Sequence, residues 1–111
     1  MTLAERTVGD VCVFELGGRM MAESSERVVT PVRQRLREGR RKFLLNLEKV
    51  QHLDTTGLAD LVESLTTVRR QGGQLKLLLV TRHVHELLRI TGLVQVFEMF
   101  DVESEAIQSF R

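Results

Sequence analysis

The chain has 111 residues, with 16 Lys and Arg against 15 Asp and Glu, one Cys and one Pro. At 42% hydrophobic and 28% charged residues its composition is that of an ordinary globular domain, which excludes collagen-like, disordered and disulfide-stapled classes. A chain of this size buries roughly two-thirds of its unfolded surface, enough for one core and one domain over residues 1–111.

Leu3 to Val8 and Val11 to Leu16, separated by the tight-turn pair Gly9-Asp10, predict a β-hairpin. After Gly17-Gly18, Ser24 and Ser25 are candidate caps for a helix carrying Val28, Val32 and Leu36 at fourfold spacing and ending at Gly39. Pro31 lacks a backbone donor, so this helix either kinks there or begins later with Thr30 as its cap; the expectation is the longer, kinked helix. Phe43 to Leu47 and Gln74 to Val80 are compact apolar runs of strand length. Between them Leu58, Leu61, Leu65 and Val68, with Val62, line one face of a helix that opens at Asp54-Thr55-Thr56 and closes at Gly72-Gly73. A further helix runs from about Arg82 to Thr91, with Val84, Leu87 and Leu88 inward and Gly92 as its stop. A short strand near Phe97 to Phe100 follows, and a last helix from Ser104 turns Ala106, Ile107 and Phe110 inward.

Strand, strand, helix, then alternating strands and helices predict an α/β fold with a mainly parallel sheet behind an antiparallel N-terminal hairpin. In such sheets partners meet the loops beyond the carboxyl ends of the strands, here Glu48 to Gly57. Within that stretch, two hydroxyls follow an acid at the start of the clearest helix. One reading is an N-cap, for which Asp54, Thr55 and Thr56 are all suited, with Thr56, or Thr55 while unmodified, expected to supply it. The other is phosphorylation: a phosphate on Thr55 adds up to about two negative charges, received by the helix N-terminus yet disruptive to a docked partner.

Phe43-Leu44-Leu45-Asn46-Leu47 followed by Leu53-Asp54-Thr55-Thr56-Gly57-Leu58-Ala59 resembles the third strand and the acid, hydroxyl, hydroxyl, glycine, leucine signature of the STAS family. That family is named for sulfate transporters and anti-sigma factor antagonists. Gly72-Gly73-Gln74-Leu75, Leu87 to Leu93 and Phe97 to Asp101 resemble its later elements in order, so the resemblance runs nearly end to end. In the antagonist branch, the hydroxyl directly after the acid is phosphorylated by a kinase that is itself the anti-sigma factor. The resemblance implies that Thr55 is that residue, with Thr56 as reserve acceptor, Asp54 shaping the site, and Gly57, Asn46 and Leu58 in its docking environment.

It further implies a non-enzymatic switch. The unmodified domain binds the serine/threonine kinase and frees a sigma factor, phosphorylation releases it, and a metal-dependent phosphatase resets it. Asn46 stands where phosphorylated members often carry Asp, Gly18-Arg19-Met20 where an acid is common, and Thr55 where Ser is usual. These departures alter charge at the docking face. They keep a second expectation open, a non-switching docking subunit of a stress-signalling complex or of a lipid-transporting ABC system.

Other chemistries lack their residues. A receiver domain needs an acid pair after the first strand, which Val8-Gly9-Asp10 does not supply. His83 and His85 stand two apart with His52 distant, so no metal-ligand spacing occurs, and neither a nucleophile elbow nor a phosphate-binding glycine loop is present. No cofactor is expected. The basic run Arg33, Arg35, Arg37, Arg40, Arg41 and Lys42 has no interleaved aromatic, so it reads as a solvated face or protein contact and not as a nucleic-acid site. The acidic end, Glu98, Asp101, Glu103 and Glu105, could complement it in weak head-to-tail self-association. Cys12 within Val11-Cys12-Val13 reads as a buried hydrophobe of a reducing compartment. Apolar runs such as Leu77 to Val80 fall far short of the roughly twenty residues a membrane helix needs, so a cytoplasmic protein without membrane insertion is expected.

Overall fold

The structure, a computed structural model, describes residues 1–111. β1 (Thr2–Val8) and β2 (Val11–Met20) form the expected hairpin, in unbroken antiparallel register from Thr2 opposite Gly17 to Val8 opposite Val11. Gly9 takes a φ of +60° at the turn, the left-handed conformation that glycine adopts without strain. The chain continues through α1 (Val29–Arg37), β3 (Lys42–Leu53), α2 (Thr55–Arg70), β4 (Gln74–Leu78), α3 (Arg82–Ile90), β5 (Met99–Phe100) and α4 (Glu103–Ser109). The five strands lie in sequence order, and every pair after the hairpin is parallel, as the alternation of strands and helices requires.

Strand alternation sorts the core into two layers. Phe43, Leu45 and Leu47 face α1, α2 and α3 in a cluster of 21 buried residues that includes Val32, Leu61 and Leu88. Leu44 faces the other way, joining Val11, Val13 and Leu78 beneath Ala106 and Phe110 at the α4 side. The smaller layer also contains a buried cation. Lys76 is 3% exposed, and its Nζ donates to the Ser109 carbonyl at 3.0 Å and the Ser109 hydroxyl at 2.9 Å, with Glu98 at 3.5 Å. Arg6 of β1 pairs with Glu103 at the opposite end of α4, so the helix is pinned at both ends. Leu79, with φ of +53°, departs from strand geometry, and this lets both Leu78 and Leu79 pack against the smaller cluster although a strand would alternate them.

Two elements differ from expectation. The first helix is not the long kinked one. It starts at Val29, places Pro31 in its first turn where no intrahelical donor is needed, and leaves Ser24 and Ser25 outside. Ser24 donates instead to the Arg19 carbonyl at 2.8 Å. The cap comes from another helix: the Asp60 carboxylate of α2 accepts from Val28 N–H at 2.7 Å and Val29 N–H at 3.1 Å. The second difference is β3, which extends six residues past Leu47 to Leu53, through a stretch expected to be loop. The Asn46 side chain accepts from Glu48 N–H at 3.0 Å where the β2–β3 register shifts, and beyond that point β3 pairs with β2 alone, as far as Met20 opposite Leu53. A second register shift follows between Val50 and His52, and the two together replace a spacing of two with the buried positions Leu47, Val50 and Leu53, so period-two patterning does not reveal the extension.

Much of the basic run is engaged within the chain: Arg33 with Glu63, Arg35 with Glu5, and Lys42 with Asp10. Glu98 and Glu103 of the acidic end are likewise paired with Lys76 and Arg6. No helix is long and apolar enough to cross a membrane.

Because Asp60 is 4% exposed and satisfies two amides of another helix, Asp60→Ala leaves both donors without an acceptor. Urea denaturation of this variant should show a loss of about 2–4 kcal/mol. A loss below about 0.5 kcal/mol would mean that water replaces the carboxylate.

Candidate functional site

The site lies where β3 ends and α2 begins. Asp54 is extended, with φ of −104° and ψ of −172°, so the helix starts one residue later with Thr55 at its first position. One Asp54 carboxylate oxygen, Oδ1, accepts from Thr56 N–H at 2.9 Å and Gly57 N–H at 3.0 Å. The other, Oδ2, accepts from Ala22 N–H at 2.9 Å, across a gap of 32 residues in sequence. The backbone hydrogen bonds, Ala22's foremost, hold the Asp54 carboxyl below its ordinary value. The cap is thus Asp54, and neither threonine, correcting the expectation that Thr56 or Thr55 supplies it. Asp suits this role because its short side chain bends back onto the second and third amides of the turn.

The α2 amides expected to receive a phosphate on Thr55 are therefore occupied already. Thr55 and Thr56 are both exposed. A phosphate on Thr55 would face solvent or a partner, with the helix dipole as its remaining local support.

Gly57 and Leu58 turn the other way. Leu58 is 6% exposed and belongs to the main core. A Cβ built at Gly57 would lie 2.1 Å from the Met20 carbonyl oxygen, so glycine is required for the approach of α2 to this chain's own β2. Both residues support the Asp54-Thr55-Thr56 turn from beneath. Asn46 follows Leu44 by two positions in β3, before the bulge, which puts it on the sheet face that carries α4 and not on the α2 face. Of the expected site residues, the structure joins Asp54, Thr55, Thr56 and Gly57 in one turn and separates Asn46 from them.

Three contributors escape sequence reading: Met20, whose carbonyl accepts from Asp54 N–H at 3.2 Å, Ala22 and Asp60. Met20 and Ala22 act through backbone groups, which leave no side-chain signal. Asp60 had one, since Asp60 and Ser64 are polar residues four apart on the buried arc of α2. Ser64 donates to the Asp60 carbonyl at 2.8 Å.

The turn holds no built ligand cavity. A recess of about 30 Å³ between Met20, Thr56, Gly57 and Asp60 is the room of a single water. No group of three His, Cys, Asp or Glu side chains is arranged to hold a metal ion.

Gly57→Ala must shift backbone against backbone, so thermal unfolding should show a loss of about 1–3 kcal/mol, the range for overpacking. An unchanged melting temperature would show that α2 slides freely on β2. Acid provides a second check. The Asp54 contribution is fully present above the ordinary aspartate pKa of 3.8 and is lost as pH falls through its lower folded value. The stability gap between the wild type and Asp54→Ser, which still caps, should narrow progressively below about pH 4. A gap constant with pH would contradict the carboxylate's role.

Comparison with known proteins gives the same frame. The family model described as STAS domain matches residues 3–106. The anti-sigma-B factor antagonist of Staphylococcus aureus is 38% identical over 68 residues, 61% of this chain and about three-fifths (60%) of that relative's length. The anti-sigma F factor antagonist of Paenibacillus polymyxa is 24% identical over 98 residues, covering 87% of this chain and 84% of the relative. Among solved structures, a Thermotoga maritima protein described as a candidate anti-sigma factor antagonist superposes with a TM-score of 0.89 at 24% identity, over 98% of this chain and 94% of that one. The phosphorylated form of the Bacillus cell fate determinant SpoIIAA superposes with a TM-score of 0.76 at 18% identity, covering 96% and 97%. With a family model spanning nearly all its length and the same five-stranded sheet, the chain belongs to the STAS domain family.

Proposed function

We propose that this protein is an anti-sigma factor antagonist that works as a phosphorylation-controlled partner switch, with Thr55 as the acceptor. The observation that carries the reading is the acceptor turn itself. Thr55 is exposed at the first position of α2, while Asp54 occupies the amides that could otherwise draw a phosphate back onto the helix. A phosphate there changes the outward surface by about −1.5 to −2 charges and leaves the core residues Leu58 and Leu61 untouched. The names of the curated relatives, and a neighbour of the same fold solved in a phosphorylated form, support the same reading.

In this reading the unmodified turn docks on an anti-sigma factor that is also a serine/threonine kinase. Docking frees the sigma factor. Transfer of a phosphoryl group to the Thr55 hydroxyl then places charge inside a desolvated interface, which weakens it tenfold for every ~1.4 kcal/mol of penalty. A metal-dependent phosphatase restores the hydroxyl. The chain is a substrate in this cycle and performs no catalysis of its own.

The test is to incubate the purified protein and its Thr55→Ala variant with lysate of the source organism and magnesium ATP, then to measure intact mass and map the modified residue. One added phosphate on Thr55, absent from the variant, is the expected result. Thr55→Asp should in turn bind the kinase at least tenfold more weakly than the wild type, with an unchanged circular dichroism spectrum. No phosphate, together with a stable ATP-insensitive complex, would replace the switch by a constitutive docking subunit. That second reading draws on Asn46 and Arg19, which lack the acids common at those positions in phosphorylated members.

A further inference from the structure

The connection from β2 to α1, residues 21–28, has neither strand nor helix, and Ala22, Glu23, Ser25, Glu26 and Arg27 are exposed along it. It is nevertheless tied down at both ends, first by the carboxylate that caps α2 and then by one within it. At its start Ala22 N–H donates to Asp54 Oδ2 at 2.9 Å. At its end Val28 and Val29 N–H donate to Asp60 at 2.7 and 3.1 Å. Between the two, Arg27 reaches Glu63 of α2 at 3.1 Å and Ser24 closes the loop on itself through the Arg19 carbonyl. The underside is fixed as well: Asp54 N–H donates to the Met20 carbonyl, and Gly57 leaves no space between that carbonyl and the acceptor turn.

We propose that Asp54 is a positioning residue that joins the 22–26 segment and the Thr55 turn into one recognition surface, so that this segment selects the partner that reads Thr55. The proposal rests on the acceptor role given to Thr55 above for its functional half. Its structural half stands on geometry alone. The two Asp54 oxygens have separate tasks, Oδ1 capping α2 and Oδ2 holding the loop, and an aspartate can do both because each oxygen accepts. An asparagine cannot. It has one acceptor oxygen, which keeps the two α2 amides, and it turns an N–H₂ toward the Ala22 donor. Asp54→Asn is therefore a selective cut of the loop tie that leaves the cap in place.

Hydrogen exchange, resolved by residue, on wild type and Asp54→Asn tests the structural half. Exchange at Ala22 and its neighbours to Glu26 should accelerate about tenfold, as expected for loss of a hydrogen bond to a charged acceptor, with Thr56, Gly57 and Leu58 unchanged. Unchanged exchange at Ala22 overturns the proposal. Acceleration throughout α2 also overturns it, because Asp54 would then be a cap only.

The functional half uses the same lysate and magnesium ATP, with the initial rate of Thr55 phosphorylation measured against substrate concentration. Asp54→Asn should raise KM severalfold at little change in kcat, and Glu26→Ala, which keeps every Asp54 bond, should also raise KM. A freed loop with an unaltered KM in both variants overturns the recognition role. If even the wild type takes no phosphate, the acceptor reading of Thr55 fails separately, and the exchange data still decide whether Asp54 ties the loop.

Discussion

The approach of α2 to the exit of β2 is the constraint on which the rest of the site depends. Met20 presents its carbonyl oxygen where a side chain at position 57 would have its Cβ, and the same oxygen accepts the Asp54 amide. With the helix start held there, Asp54 reaches three amides from two segments, and Thr55 is left on the outside of the turn. A larger residue at 57 would lift the helix, lengthen those bonds and move Thr55 at once. A local requirement for glycine is in this way a requirement on the presentation of a hydroxyl several ångströms distant.

The two layers of the core have different work. The larger one, under α1, α2 and α3, sets the helix that begins at Thr55, through Leu58, Leu61, Leu65 and Val68 against Phe43, Leu45 and Leu47. Thr55 is exposed and lies outside this packing. The smaller layer is fastened by charges at its edges, Lys76 at the carboxyl end of α4 and Arg6 at its start. A cation suits the first position because the last carbonyls of a helix carry partial negative charge. Asn46 belongs to the sheet face of this layer, and its side chain shapes the bulge that lets β3 run on to Leu53. Its effect on the site is thus through the path of the backbone that delivers Asp54.

The 3.6-residue and two-residue periods were legible wherever one face was uniformly apolar. That covers the hairpin, β4, α2 and α3. Legibility ended where a residue owed its role to a remote partner. Pro31 was ambiguous because the cap of α1 is Asp60, on a different helix. The extension of β3 was hidden because two register shifts change the spacing of its buried residues to three. The capping role passed from threonine to Asp54 because the Ala22 amide, 32 residues away, adds a third bond that only a two-oxygen acceptor accommodates.

The amino-acid order by itself determined the fold class, the place of α2 and the run Asp54-Thr55-Thr56-Gly57 at its start, since patterning and cap chemistry act between neighbours along the chain. Tertiary structure alone decided which of these side chains face outward, that Gly57 serves this chain's own β2, and that the 21–28 segment is tied to Asp54. The physical reason is range. Periodicity records which face is buried, but the hydrogen bonds that build the site join residues about 30 positions apart through backbone groups, and a backbone amide is the same in every residue except proline.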